Sequence, residues 1–287
     1  MLKDRILSAI ALLAFIFAAL FLFNPFYFSL TVGLATTLAV WEWTQFADIR
    51  KTFWRLFVSA VFGCFLFVWI YSSQSYLNAG RVFINVAQPI LLIAVIWWVV
   101  ALCFVVTYPK SAKLWSHSTF LQFIFGACTL VPFFVAVLKL RLNEYIGSSS
   151  HGIILLLYVF ILVWAADSGA YFAGRAFGKH KLAPKVSPGK TWEGVIGGLI
   201  SAAILAFVFV KFVAGSAFQV PMHQFILLSI VTVAVSILGD LTESMFKRDV
   251  GIKDSSHLIP GHGGVLDRID SLAAAVPFFA FFYFYVL

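Results

Sequence analysis

Charged side chains are scarce in this sequence. Asp, Glu, Lys and Arg make up 11% of its 287 residues, whereas hydrophobic residues make up 62%. Soluble globular domains contain about 25% charged residues, so this composition excludes an ordinary soluble protein. The mean hydropathy of +0.99 and the 33 Phe residues indicate an integral membrane protein instead.

Cysteine is also rare. The chain has three cysteines, Cys64, Cys103 and Cys128, and each lies within an apolar run. Their spacing does not match that of metal ligands or of a disulfide framework. We therefore expect them to serve as packing residues, and we predict neither a zinc site nor a disulfide.

Long hydrophobic runs take up most of the sequence. Nine runs are each about long enough to cross a hydrocarbon core of about 30 Å as a helix. They cover residues 6–23, 26–46, 53–71, 89–108, 120–138, 153–174, 195–214, 225–244 and 268–286. The predicted fold class is all-α, a polytopic membrane helix bundle of about nine transmembrane helices. We divide it into an N-terminal bundle of five spans, residues 1–150, and a C-terminal bundle of four spans, residues 151–287, which we expect to carry the chemistry.

Positive charge is distributed unevenly between the two sides that these spans define. Of the 20 Lys and Arg residues, 16 fall on one side, and only Arg81, Lys139, Arg141 and Lys211 fall on the other. Cytoplasmic loops of membrane proteins carry the excess of Lys and Arg, so the N-terminus is predicted to be cytoplasmic. The net charge of +8 is thus explained by topology and by attraction to anionic lipid headgroups, and we predict no nucleic-acid partner.

One stretch, Gly239–Ser271, concentrates the charge that the rest of the chain lacks. It holds six of the 12 acidic residues, together with four Lys or Arg and two His. The acids of interest form two pairs: Asp240 with Glu243, and Asp267 with Asp270. Each pair is spaced i, i+3 and so shares one helix face. Because charge at the edge of a membrane is costly, acids gathered with Lys and Arg indicate a site for a hard cation and a phosphate. For the second pair, acids that only balance a helix dipole are the alternative.

Two further motifs precede this stretch. Asp167 lies inside the sixth predicted span among small residues, which fits either a helix–helix hydrogen bond or a site carboxylate. Residues 187–194 have the sequence Ser-Pro-Gly-Lys-Thr-Trp-Glu-Gly. With Ser187 as N-cap and Pro188 as first helical residue, this segment predicts a helix N-terminus facing a phosphate, with Lys190 as charged partner. A basic cytoplasmic loop would explain the lysines equally well.

Glu42 and the two histidines of the charged stretch are harder to assign. Glu42 is the one acid inside a predicted span of the first half, between Trp41 and Trp43. Pairing with a nearby Arg and a supporting role near the site both remain open for it. For His257 and His262, hydrogen bonds within the loop are favoured over a catalytic role.

Together these motifs resemble the signature of a known family. The residues that carry the resemblance are Gly239-Asp240-Leu241-Thr242-Glu243-Ser244-x-x-Lys247-Arg248, Lys253-Asp254 and Pro260-x-His262-Gly263-Gly264-x-x-Asp267-Arg268-x-Asp270. With the upstream segments 167–171 and 187–194, they resemble phosphatidate cytidylyltransferases, also called CDP-diacylglycerol synthases. The motifs cover about the last 120 residues, and the chain's size and the C-terminal position of the site resemble the bacterial branch.

The resemblance implies that CTP and phosphatidate give CDP-diacylglycerol and diphosphate in phospholipid biosynthesis. It places the enzyme in the bacterial cytoplasmic (inner) membrane, with its site at the cytoplasmic face and Mg²⁺ as cofactor. The implied metal ligands are Asp240, Asp267 and Glu243. The implied catalytic residues are Lys190, Lys247, Arg248, Asp267, Arg268 and Asp270. The implied substrate-binding residues are Asp167, Ser187, Thr191, Glu193, Lys253, His262, Gly263 and Gly264. A second, monovalent cation and a homodimer are left open.

Two other functions use similar residues. A CTP-dependent lipid-alcohol kinase would need comparable charges to move a terminal phosphate. An ion-coupled transporter would use intramembrane acids such as Asp167 and Asp240 as a cation relay. The charged groups gather on one side and no inverted repeat is visible, which disfavours the transporter. The His-Gly-Gly-x-x-Asp-Arg-x-Asp string at residues 262–270 favours the cytidylyltransferase over the kinase.

The basic asymmetry predicts which loops a membrane-impermeant thiol reagent can reach. In a background without the three native cysteines, single cysteines introduced near Lys181 and Ser256 should react only after the cells are permeabilised. A cysteine near Ser216 should react in intact cells. If a cysteine near Ser256 reacts in intact cells, the predicted topology is wrong, because the site would then face away from the cytoplasm, where CTP is present.

Overall fold

The computed structural model describes residues 2–79, 86–144, 149–213 and 220–287, and it is 78% helical. Its helices are α1 (Leu2–Leu22), α2 (Pro25–Trp43), α3 (Thr52–Ser72), α4 (Gln74–Asn78), α5 (Ala87–Thr107), α6 (Ala112–Trp115), α7 (Thr119–Arg141), α8 (Ser149–Phe177), α9 (Trp192–Phe212), α10 (Met222–Asp249) and α11 (Leu266–Tyr285). One antiparallel hairpin, β1 (Lys181–Ala183) with β2 (Ser187–Thr191), interrupts the helical pattern. Arg81 and Ser216, used in the topology argument, lie outside the described residues.

Each of the nine predicted spans coincides with one helix, although the ends differ by a few residues. Within the described residues, six helices are long and apolar enough to cross a membrane: α3, α5, α7, α8, α9 and α10. The chain is therefore a mostly helical, multi-pass membrane protein. The count of nine spans and the cytoplasmic N-terminus stay predictions.

Two local expectations from the sequence are wrong. The helix predicted to begin at Pro188, with Ser187 as its N-cap, begins at Trp192, because the preceding residues pair with β1 in the register Ala183–Ser187 and Lys181–Thr191. Thr191 is the N-cap instead: its backbone is extended, and its hydroxyl accepts a hydrogen bond from the Gly194 N–H at 3.2 Å. Two of the cysteines also differ from expectation, since Cys64 and Cys103 lie exposed on the outside of the bundle, whereas the half-buried Cys128 packs against a buried cluster as expected.

Helices α8 and α9 approach each other very closely through their glycines. A Cβ atom added at Gly197 would lie 2.9 Å from the Gly169 carbonyl oxygen, and one added at Gly198 would lie 3.1 Å from the Ala166 oxygen. These positions therefore have no room for a larger side chain, and their small size lets the two helices approach closely. The contact brings the C-terminal half of α8, which carries Asp167, against the start of α9.

An aromatic cluster fixes the C-terminal half of α10. The ring of Phe246 is fully buried, and its centroid lies 5.0 Å from that of Trp115, 5.3 Å from Trp43 and 5.7 Å from Phe46. These rings come from α2, from the residues that follow it, and from α6. A second buried cluster also joins both halves of the chain, with Leu20 and Phe134 packed together with Phe279. The division at residue 150 stays a prediction.

Truncation of Phe246 should destabilise the whole bundle. Removing a buried aromatic ring from a packed core costs about 3–5 kcal/mol. Phe246→Ala should therefore lower the thermal unfolding midpoint of the detergent-solubilised protein by several degrees. Phe172→Ala is the matched control, because that ring is 68% exposed and should leave the midpoint nearly unchanged. Equal midpoints for the two variants would mean that the aromatic cluster contributes no stability.

Candidate active site

The charged residues gather at one end of the bundle, where α10 ends and where α9 and α11 begin. We call this the site end. On α10, Asp240, Glu243 and Lys247 are spaced i, i+3 and i+7, so they share one helix face. The first turns of α11 supply Asp267 and Asp270. The charged cluster consists of Asp167, Lys190, Asp240, Glu243, Lys247, Asp267 and Asp270.

Lys247 is the buried cation of this cluster. Its Nζ lies 2.8 Å from Asp267 Oδ1 and 3.3 Å from Glu243 Oε2. The three side chains are only 11%, 6% and 4% exposed, for Lys247, Asp267 and Glu243 respectively. Buried charges of opposite sign stabilise each other only when they remain paired, so Lys247 ties α10 to α11.

Asp267 is held from several directions. Besides the bond from Lys247, its Oδ2 accepts hydrogen bonds of 2.8 Å from the Ser255 N–H, the Ser255 hydroxyl and the Gly264 N–H. Burial alone would raise the pKa of this carboxyl, which precedes the predicted span 268–286, but the bonds from Lys247, Gly264 and Ser255 bring its pKa below the ordinary value. These four donors use most of the acceptor capacity of the carboxylate.

A second ion pair joins the end of β2, directly before α9, to α10. Lys190 Nζ, at the end of β2, lies 2.8 Å from Asp240 Oδ2, and both side chains are partly open, at 26% and 32% exposure. Asp240 Oδ1 accepts a hydrogen bond from the Ser244 hydroxyl at 3.1 Å. Asp167 lies within electrostatic range of both members of the pair. The structure therefore brings Asp167, Lys190 and Asp240 together, although they come from three different elements.

The cluster is unbalanced in charge. It contains five carboxyl groups and two ammonium groups, and Asp270 lies within electrostatic range of both Asp240 and Glu243. Among the described residues, no group of three or more His, Cys, Asp or Glu side chains is arranged to hold a metal ion. A cation here would take one or two of these carboxylates and fill its other positions from outside the protein, which is how Mg²⁺ commonly binds.

Glu42 is the residue whose position the sequence could not assign. It lies at the end of α2 with no exposed surface. Its carboxylate accepts hydrogen bonds from the hydroxyls of Ser255 and Ser256 at 3.0 and 2.6 Å, and from the N–H groups of Val265 and Leu266 at 2.9 and 2.6 Å. The lone acid between two Trp residues was a sign of a special role. Nothing in its spacing pointed to partners more than 200 positions away.

The glycine-rich loop before α11 packs directly on these carboxylates. Gly263 has a φ of +83°, which favours glycine. A Cβ atom at Gly264 would fall on the Ser255 hydroxyl and the Glu42 carboxylate. His262 Nδ1 lies 2.8 Å from the hydroxyl of Ser8 in α1. These three predicted substrate-binding residues thus lie at the site end, and the Gly264 N–H is directed to Asp267.

The remaining predicted residues surround the cluster at varying distance. Glu193 bonds to His180 Nδ1 at 2.6 Å and so closes the base of the hairpin. The Nε of Arg248 donates to the Val186 carbonyl oxygen of the hairpin turn at 3.3 Å. Lys253 and Arg268 are exposed, and Ser187 lies half-exposed in β2. A separate cavity of about 640 Å³ is lined by Arg55, His117 and Asp249 among others, and none of the cluster residues lines it.

A family model and two curated relatives match this chain over all or nearly all of its length. A model of the "Cytidylyltransferase family" matches residues 3–286. The chain is 61% identical over 288 aligned positions to the phosphatidate cytidylyltransferase of Haemophilus influenzae, covering 100% of both chains. It is 41% identical to that of Pseudomonas aeruginosa, over 98% of this chain and 96% of the relative. A match to the Bacillus subtilis protein of the same name reaches 40% identity over 54% of this chain and 57% of the relative. The resemblance found in the sequence motifs is confirmed, and the chain belongs to the cytidylyltransferase family.

Proposed function

We propose that this protein is a nucleotidyltransferase that joins CTP and phosphatidate to give CDP-diacylglycerol and diphosphate. The observation that carries the proposal is the 61% identity, over the full length of both chains, to a protein named phosphatidate cytidylyltransferase. The multi-pass helical fold supports it, because a lipid substrate must be reached from a membrane. We further propose the bacterial cytoplasmic membrane as its location, with the site end at the cytoplasmic face, where CTP is present.

The chemistry requires that two anions approach each other. A phosphate oxygen of phosphatidate attacks the α-phosphorus of CTP, a new P–O bond forms, and the bond to the β-phosphate oxygen breaks to release diphosphate. The attacking oxygen is already ionised, so no strong general base is needed. Positioning and neutralisation of charge supply most of the rate enhancement in such transfers.

The basic residues at the site end can provide that neutralisation. Lys190 is partly open, and Arg248, Lys253 and Arg268 are exposed around the cluster. We assign the phosphates of the nucleotide and the lipid to these side chains. Lys247 is occupied by Asp267 and Glu243, so its role in our proposal is to hold the cluster together while adding positive charge behind it.

We also propose a Mg²⁺ ion as cofactor, because the cluster has an excess of carboxyl groups and a substrate with phosphates would complete the coordination. Such an ion neutralises phosphate charge when bound. Asp240 is the most accessible candidate ligand, at 32% exposure, and Glu243 and Asp270 lie next to it. Asp267, the other ligand implied by the family resemblance, would have to share its oxygens with four hydrogen-bond donors.

Labelled CTP tests the reaction directly. Purified protein in detergent is incubated with phosphatidate and with CTP labelled at either the α- or the γ-phosphate. We expect label from the α-phosphate in the lipid product. Transfer of the γ-phosphate to a lipid alcohol would indicate a kinase, and no transfer from either position would leave an ion-coupled transporter to be tested.

Replacing Lys190 with Ala should lower kcat by about 100-fold or more, because a charge partner of the transition state is lost. Arg248→Ala should have a similar effect. Lys181→Ala is the matched control, since Lys181 is an exposed lysine of the same hairpin and should change kcat by less than about threefold. Equal, mild effects at all three positions would mean that the hairpin is only a basic surface.

The metal assignment is tested with Asp→Asn variants. Asp240→Asn and Asp267→Asn keep the shape of the side chain but remove its charge, so kcat should fall by about 100-fold or more, and excess Mg²⁺ should not fully restore it. Asp249→Asn is the control, because Asp249 lines the separate cavity and should retain most of the activity. If high Mg²⁺ fully restores the kcat of Asp240→Asn, the Asp240 carboxylate contributes little to metal binding.

A further inference from the structure

We infer that Glu42 is a positioning residue for the reaction: it fixes the start of α11 and the 255–256 segment, and thereby the orientation of Asp267 and Lys247. This inference rests on the proposed function for the reaction it serves. It adds a residue of the N-terminal half to a site whose other members come from residues 167–270.

The first step concerns charge. Glu42 has no exposed surface, and the Arg55 guanidinium interacts with it electrostatically without forming one of the close ion pairs seen among the described residues. A buried carboxylate that no cation contacts directly must be stabilised mainly by hydrogen bonds and dipoles. The N–H groups of Val265 and Leu266 supply two bonds at the positive end of α11, and two serine hydroxyls supply the others. The position of α11's first turn is therefore tied to the end of α2.

The second step connects Glu42 to Asp267. The Ser255 hydroxyl lies 3.0 Å from Glu42 Oε2 and 2.8 Å from Asp267 Oδ2. The hydroxyl has a single proton, so the two carboxylates share one donor, and Ser255 links them. The Ser255 N–H also bonds to Asp267 at 2.8 Å, and Asp267 in turn bonds to Lys247 at 2.8 Å. A continuous chain of contacts thus runs from Glu42 to the buried cation.

The third step is that this arrangement has little freedom to adjust. Gly264 has no space for even a methyl group, because a Cβ atom would fall on Ser255 and Glu42. On the other side, Trp43 next to Glu42 packs against Phe246 next to Lys247, with ring centroids 5.3 Å apart. Both ends of the contact chain are therefore fixed by packing, as accurate positioning of charged groups requires.

The same contacts also limit which N–H groups can bind a substrate phosphate. The N-terminus of a helix normally offers free N–H groups to anions. At the start of α11, the N–H groups of Gly264, Val265 and Leu266 are already bonded to the carboxylates of Asp267 and Glu42. These three N–H groups are therefore not available to a substrate phosphate, which agrees with our assignment of the phosphates to side chains such as Lys190 and Arg248. In this respect Glu42 occupies the place that an anionic ligand would otherwise take.

Glu42→Gln tests the role. It keeps the size of the side chain but replaces one acceptor oxygen with a donor that faces N–H groups. We expect kcat, measured per folded monodisperse molecule with labelled CTP and phosphatidate, to fall by about 10- to 100-fold, as for other residues that orient a site ligand. The KM for CTP should change much less. Thr36→Val is the matched control: it removes a fully buried hydroxyl of the same helix, bonded only to Val32, and should leave kcat unchanged.

A double-variant cycle separates positioning from general stability. If Glu42 acts through Ser255, Glu42→Gln and Ser255→Ala should have non-additive effects on the activation free energy. If the double variant's fall in kcat equals the product of the two single falls, the inference is overturned. It is also overturned if Glu42→Gln lowers the unfolding midpoint but leaves kcat per folded molecule unchanged. If Glu42→Gln does not fold, Ser256→Ala removes a single bond to the same carboxylate, and an unchanged kcat in that variant would overturn the inference. Failure of the wild-type protein to transfer the α-label would refute the proposed function instead.

Discussion

The ion pair between Lys247 and Asp267 is the contact on which the rest of the site depends. It lies where α10 and α11 meet, with both side chains almost completely buried. A buried charge that loses its partner destabilises a protein by several kcal/mol, so every group around this pair has to be held in place. Ser255, Gly264 and Glu42 do this from the loop and from α2, and the aromatic cluster around Phe246 does it from behind. The site is therefore part of the packing of the fold.

The helices could be predicted from the sequence because their signal is continuous and local. Runs of apolar residues about 20 positions long reveal a span without any knowledge of its neighbours, and each predicted run coincides with a helix. The hairpin at 181–191 could not be predicted, because pairing between two short segments outweighs the capping preference of Ser187, and a nearby threonine serves as the cap instead.

In the site, too, local arrangements could be predicted from the sequence, whereas contacts between distant residues could not. The spacing of Asp240, Glu243 and Lys247 on α10 predicts a shared face, and the motif places Asp267 at the start of the next helix. The sequence could not predict which charged side chains form pairs, because Lys190 and Asp240 lie 50 positions apart in the chain. Glu42 is the hardest case, because two of its four hydrogen bonds come from backbone N–H groups, which almost every residue has. Such contacts leave no mark in residue type.

The distance along the chain between Glu42 and its partners has a consequence for synthesis. Glu42 leaves the ribosome more than 200 residues before Ser255 and Val265 exist, as their separations of 213 and 223 positions require. Until then, the end of α2 carries a carboxylate without these hydrogen bonds, next to a membrane that disfavours bare charge. The segment from Ser255 to Leu266 supplies the donors. Docking of this segment against the end of α2 is therefore the event that completes the hydrogen bonding of Glu42, and it can occur only after more than 200 further residues have been made.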